Sequence, residues 1–203
     1  MSRPAPGQQH PGAVGFALAG GDSRRMGRDK ALLPWAGGDL LAHALARLRQ
    51  VVPEVRILSG GERRYAERGV PVDTDAVLGQ GPAAGLLAGL EAVAGRAALL
   101  LAVDLPLVPT ALLLRLLELA PGFDAVVPVS PRGVEPLCAA YGPGCLEPLR
   151  RRVAAGQLAM PSIWPDVRVR RLEPDEVAAF GPPERIFLNV NGPFDYEAAG
   201  GSG

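Results

Sequence analysis

The run from Ala97 to Val103, AALLLAV, limits the fold more than any other stretch of this chain. It has the length of a strand, and no polar residue alternates through it. A strand without alternation must be covered on both faces, as the inner strands of parallel sheets are. Further strands are expected at Gly15 to Leu18, Val55 to Leu58, Val70 to Val72, Phe123 to Val129, Pro136 to Tyr141 and Ile186 to Leu188, and at Val167 to Leu172, where arginines alternate. Helical patterns fall between them. Asp39 to Gln50 carries leucines at 41, 45 and 48 behind an aspartate placed to cap the start. Shorter or less regular helices are expected at Glu62 to Arg68, from Pro82 onward, and at Pro109 to Leu119, Cys145 to Ala155 and Glu173 to Phe180. Strands alternating with helices predict an α/β fold, a mainly parallel sheet in a three-layer, Rossmann-like arrangement.

The 203 residues, 48% of them hydrophobic, suit one globular domain over residues 14–198. Residues 1–13, rich in proline and glycine, read as a disordered tail, and 199–203 as a flexible end. Lysine plus arginine balance aspartate plus glutamate at 21 each, so no global field draws the chain to nucleic acid or to a membrane surface. No apolar run reaches the about 18 residues of a membrane span, and no signal peptide opens the chain. Cys138 and Cys145 are too few for a disulfide framework, so a cytoplasmic location is expected. His43 and His10 are given no chemistry.

The chemistry concentrates after the first strand. Gly20 and Gly21 precede a loop with Arg24, Arg25, Arg28 and Lys30, four cations within seven residues. Glycines let main-chain amides approach a ligand closely, and consecutive amides backed by cations make an anion site. The Walker spacing fails, because five residues separate Gly21 from Gly27 and Arg-Asp-Lys follows; the dinucleotide fingerprint is also missing. A second candidate is Asp104, at the end of the AALLLAV strand. Ligands of open parallel sheets bind beyond the carboxyl ends of strands, and a carboxylate there beside a phosphate loop is a natural Mg²⁺ ligand. The competing role for Asp104 is a cap on the following helix. Gly85 and Gly89, four apart, allow close approach of either another backbone or a ligand.

The pattern Leu18-Ala19-Gly20-Gly21-x-Ser23-x-Arg25-Met26-Gly27-x-Asp29-Lys30 resembles the signature loop of the molybdenum cofactor guanylyltransferases. Gly81-Pro82-x-Ala84-Gly85, Asp104-x-Pro106 and Asn189-x-Asn191-x-Pro193 resemble further motifs of that family, in the same order. The resemblance implies a nucleotide-diphospho-sugar transferase fold. It also implies transfer of GMP from GTP to molybdopterin, with release of pyrophosphate. It assigns Leu18, Ala19, Gly20, Gly21, Lys30, Asp75, Gly81, Gly85 and Asp104 to the nucleotide, and Lys30, Arg25 and Asp104 to catalysis. Mg²⁺ would sit on Asp104, and Asn189 and Asn191 would either line the acceptor and metal side or cap a final helix. Molybdoenzymes or their chaperones are further expected partners. The chain departs from the family at Ser59, where an asparagine is usual, at Glu135, where histidine is common, and at Gln157 to Met160, where a basic pair is usual. Arg150, Arg151 and Arg152 could replace that pair or coat a helix. A cytidylyl-transferring relative, a nucleotidyltransferase with another phosphorylated acceptor, and a silent nucleotide-binding protein remain open alternatives.

Overall fold

A computed structural model describes residues 9–20, 29–61, 63–74 and 81–190. The first strand, β1 (Ala13–Leu18), is buried along its whole length. It begins before Val14, and two residues ahead of it are tied down: the His10 amide donates to Val51 O at 2.9 Å and the Gln9 side chain to Arg49 O. The short strands β2 (Pro34–Trp35) and β3 (Gly38–Asp39) then form a hairpin. Its two turn residues, Ala36 and Gly37, both have positive φ, the requirement of a tight turn matched to strand twist. The hairpin delivers Asp39 to cap α1 (Leu40–Arg49), accepting the Ala42 amide at 2.7 Å. Leu41, Leu45 and Leu48 of α1 are buried, as their spacing predicts.

After β4 (Glu54–Leu58) and β5 (Val72–Asp73) come α2 (Gly81–Ala92) and β6 (Ala97–Ala102). The chain continues through α3 (Thr110–Glu118), β7 (Ala125–Ser130), β8 (Gly133–Val134) and β9 (Cys138–Tyr141). Among the described residues the last elements are α4 (Leu146–Ala154), β10 (Val169–Leu172), α5 (Pro174–Val177) and α6 (Pro183–Ile186). The main sheet has the order β10-β7-β9-β6-β1-β4-β5, with β8 hairpinned onto β7. In that path only β9 runs against its neighbours, so the sheet is mainly parallel. Helices α1 and α3 pack on one face, and α2 on the other with α4 beside it. These are the three layers expected. β6 lies in mid-sheet and Ala98, Leu99 and Leu100 are inaccessible to solvent, so the unalternating run is covered on both sides.

Two expected elements fail. Ile186 to Leu188 forms no strand: Pro182 and Pro183 have φ preset for a helical turn, and Ile186 closes α6. Phe187 and Val190 still fill the core, which explains the apolar pattern. Of the helix expected over Glu62 to Arg68, the described residues 63–68 form a single 3₁₀ turn at Ala66–Arg68, entered through Tyr65, and Glu62 lies outside the described residues.

Candidate active site

From β1 the chain moves to β4 on one side, whereas β6 sits on the other side and leads away from it. The carboxyl ends of β1 and β6 therefore flank a topological switch point, where the connections diverge and leave a crevice. Leu18 lies opposite Ala102, and the Val103 amide donates to Leu18 O at 3.2 Å. The loop after β1 and the turn after β6 are thus forced together at one place.

There Lys30 Nζ donates to Asp104 Oδ2 at 3.0 Å, across 74 residues of chain. The two side chains keep 20% and 23% of their surface exposed, so the pair is open to a ligand from one side. Asp104 is not a helix cap: Pro109 occupies the cap position of α3. The Asp104 carbonyl accepts the Val190 amide at 2.9 Å, which fastens the segment containing Asn189 to the site. His43 is also recruited. Its ring donates from Nε2 to Pro106 O at 3.0 Å and packs edge-on to Trp35, and burial lowers its pKa. It buttresses the turn after Asp104.

The glycine of the loop entry works differently from expectation. Gly20 is not in the left-handed region; a Cβ on it would lie 2.7 Å from Gly60 N. Its amide, and that of Ala19, both donate to Leu58 O, at 3.1 and 2.9 Å. Both amides are thus bonded to the end of β4, and the carboxyl ends of the two strands satisfy each other. Leu18 and Ala19 are themselves buried. Gly21, Arg25, Asp75 and Asn191 lie outside the described residues.

At the loop exit Asp29 turns the chain into Lys30. Its Oδ1 accepts the Ala31 amide at 3.1 Å. Its Oδ2 accepts the Tyr65 hydroxyl at 2.7 Å and Arg64 Nη1 at 3.3 Å. Tyr65 has φ +66, a conformation that costs a bulky residue about 1–3 kcal/mol and persists only where its surroundings enforce it. Neither Arg64 nor Tyr65 was singled out by spacing or residue type.

Gly81 opens α2 with φ +72, and Gly85 is buried one turn further on. Gly89 faces Phe16, so its role is helix-on-sheet packing. Ser59 is buried at the end of β4. Asp73 is engaged by Arg56 through two bonds of 2.7 Å.

On the side of β9, Glu135 is half-buried, accepts the Ser130 hydroxyl at 2.6 Å, and has its pKa raised, chiefly by burial. Arg132 opposes that shift and donates to Phe187 O, while the Asp104 charge adds to it. The arginines of α4 have acidic partners on the surface of the helix. Arg150 is paired with Glu91 and Glu147, and Arg152 with Asp166 and the Gln157 side chain. Met160 is core. Cys138 and Cys145 are buried thiols with raised pKa, which makes them poor nucleophiles.

Comparison with known proteins gives this arrangement a family. The model of the MobA-like NTP transferase domain matches residues 15–163. The chain belongs to that family. A probable molybdenum cofactor guanylyltransferase of Pelotomaculum thermopropionicum is 33% identical over 183 residues, covering 90% of this chain and 89% of its own. A molybdenum cofactor guanylyltransferase of Cereibacter sphaeroides is 38% identical over 190 residues, covering 91% and 94%. The crystal structure of molybdopterin-guanine dinucleotide biosynthesis protein A from Archaeoglobus fulgidus superposes with a TM-score of 0.78 at 24% identity, over 92% of this chain and 96% of that one. As a MobA-like NTP transferase domain, this chain carries Lys30 and Asp104 at the switch point of a nucleotidyltransferase fold. Among the described residues no helix is long and apolar enough to cross a membrane.

Proposed function

We propose that this protein is a molybdenum cofactor guanylyltransferase, transferring GMP from GTP to the terminal phosphate of molybdopterin. The observation that supports it is the Lys30–Asp104 pair at the switch point, in a chain whose relatives carry that name.

In the reaction a phosphate oxygen of the acceptor bonds to the α-phosphorus of GTP, the bond from that phosphorus to the bridging oxygen breaks, and pyrophosphate leaves with the electron pair. Little covalent chemistry falls to the protein; positioning and charge neutralisation dominate. Lys30 reaches the triphosphate by exchanging its carboxylate partner for phosphate oxygens. Arg25 adds a second, planar cation suited to phosphate. Gly81 and Gly85 let the start of α2 approach the nucleotide without side-chain obstruction. Asn189 serves the acceptor from the segment that the Asp104 carbonyl holds.

A divalent cation fits this donor set. Among the described residues no cluster of three or more histidine, cysteine or acidic side chains would hold a metal unaided. Mg²⁺ does not need one, since it takes one or two carboxylates with phosphate oxygens and water. Asp104, freed when Lys30 turns to phosphate, is the carboxylate for it. Bound there with the triphosphate, Mg²⁺ would neutralise phosphate charge as a Lewis acid. GTP and molybdopterin are then the partners, with molybdoenzymes or their chaperones receiving the product in the cytoplasm.

The test is pyrophosphate release by the purified protein with GTP, Mg²⁺ and molybdopterin. Release that needs both substrates and fails with CTP is the expected result. Release with CTP in preference to GTP would move the protein to the cytidylyl-transferring relatives, and GTP binding without release would make it a silent carrier.

A further inference from the structure

One short segment grips both ends of the basic loop. At the entry, the Gly20 amide donates to Leu58 O and Gly20 presses on Gly60 with no room for a methyl group. At the exit, Asp29 is held by Arg64 and Tyr65, six and seven residues beyond Leu58. Arg64 also lies over the Tyr65 ring, 5.3 Å from its centre, and reaches Ser59 O. The residue gripped at the exit is the immediate neighbour of Lys30.

Tyr65 is the unusual member of this brace. It is 5% exposed and has left-handed backbone, where a glycine would turn the chain without strain. A glycine would not carry a phenol to Asp29. Burial and the Asp29 carboxylate both raise the phenol's pKa, so it stays a hydrogen-bond donor at any working pH. Asp29 in turn caps the 3₁₀ turn Lys30–Leu32, which sets the direction in which Lys30 leaves the backbone.

Resting on the nucleotidyltransferase reading, we infer that Tyr65 is a positioning residue of the reaction. Its hydroxyl fixes Asp29, and Asp29 aims Lys30 at the triphosphate. Without the hydroxyl the loop exit has more freedom, and part of the binding interaction at Lys30 is spent on ordering it. The effect runs through Lys30 and through nothing else in the site.

A double-mutant cycle of Tyr65→Phe and Lys30→Ala tests this. Phenylalanine keeps the ring, the backbone conformation and the contact with Arg64. Hydrogen bonds to charged groups of this kind correspond to about 10- to 100-fold. Tyr65→Phe alone is expected to lower kcat/KM for GTP, and GTP affinity by calorimetry, by at least about tenfold. In the Lys30→Ala background the same change is expected to cost less than about twofold. Equal losses in both backgrounds would make Tyr65 a structural residue only and overturn the inference, as would an unchanged single variant. If Tyr65→Phe does not fold, Arg64→Gln removes the other donor to Asp29 Oδ2 and carries the same cycle. A Lys30→Ala variant with full activity would instead overturn the nucleotidyltransferase reading, whatever Tyr65 does.

Discussion

Gly20→Ala is the substitution whose consequence follows most directly from the structure. The added methyl would stand 2.7 Å from Gly60 N and 3.1 Å from both Gly60 Cα and the Ser59 carbonyl carbon. These are backbone atoms at the end of a buried strand, and no side chain can swing aside to relieve the contact. Since comfortable heavy-atom separations are about 3.5–4.0 Å, the carboxyl ends of β1 and β4 must part by roughly 0.5–1 Å. The Gly20 amide bond to Leu58 O, 3.1 Å long, is then stretched beyond useful length. Overpacking of this sort costs about 1–3 kcal/mol, and the hydrogen bond about another 0.5–1.5 kcal/mol. Alanine's smaller unfolded-state entropy returns about 0.4–1 kcal/mol. The net loss, about 0.5–4 kcal/mol, corresponds to a fall in Tm of about 1–16 °C for a domain of this size. Gly12→Ala is the control, since its methyl meets nothing within 4 Å and its φ is not left-handed. It is expected to match the parent or exceed it by up to about 1 kcal/mol, the same unfolded-state gain without the contact. Thermal unfolding followed by circular dichroism at one pH compares the three proteins. If Gly20→Ala melts together with Gly12→Ala, the close approach of Gly20 to Gly60 is not what requires glycine there, and the reasoning fails.

Asp104→Ala and Lys30→Ala are each expected to reduce GTP turnover by about 10²–10³-fold with the fold intact, the range seen when one fixed transition-state contact is removed. Steady-state pyrophosphate release on folded variants measures this, and near-parental rates in either would refute the mechanism. Glu135→Gln keeps an oxygen for Ser130 but carries no charge. Burial raises the Glu135 pKa in the folded state, so its charged form destabilises the fold above that pKa and the penalty fades as pH falls through it. The glutamine variant should therefore melt higher than the parent at about pH 7.5, with the gap closing towards about pH 4. A gap that widens on acidification would show that Glu135 is stabilised as the carboxylate.

Local pattern carried much of this protein. The unalternating AALLLAV run does become an inner strand, and Asp39 does cap α1, because both depend on residues close in sequence. Lys30 and Asp104 were legible as separate candidates, each by its place after a strand. Their 3.0 Å pairing is a product of strand order, which no local pattern encodes. The same limit hid Tyr65, whose significance lies in a partner 36 residues away, and His43, whose partner is the carbonyl of Pro106. The misread strand at Ile186 to Leu188 shows the converse: apolar residues can fill a core without pairing, and two prolines decided the backbone. The bonds of the Ala19 and Gly20 amides to Leu58 O were hidden in the same way as Tyr65, since β4 supplies that oxygen.

The central claim is that the crevice between β1 and β6 is a guanine nucleotide site in which Asp104 serves a divalent cation. Calorimetric titration with GTP, CTP and ATP, each with and without Mg²⁺, on the parent and on Asp104→Ala, tests it most directly. The account predicts selective binding of GTP, strengthened by Mg²⁺ in the parent and indifferent to Mg²⁺ in Asp104→Ala. Equal binding of the three nucleotides, or a Mg²⁺ dependence that survives the loss of Asp104, would contradict it.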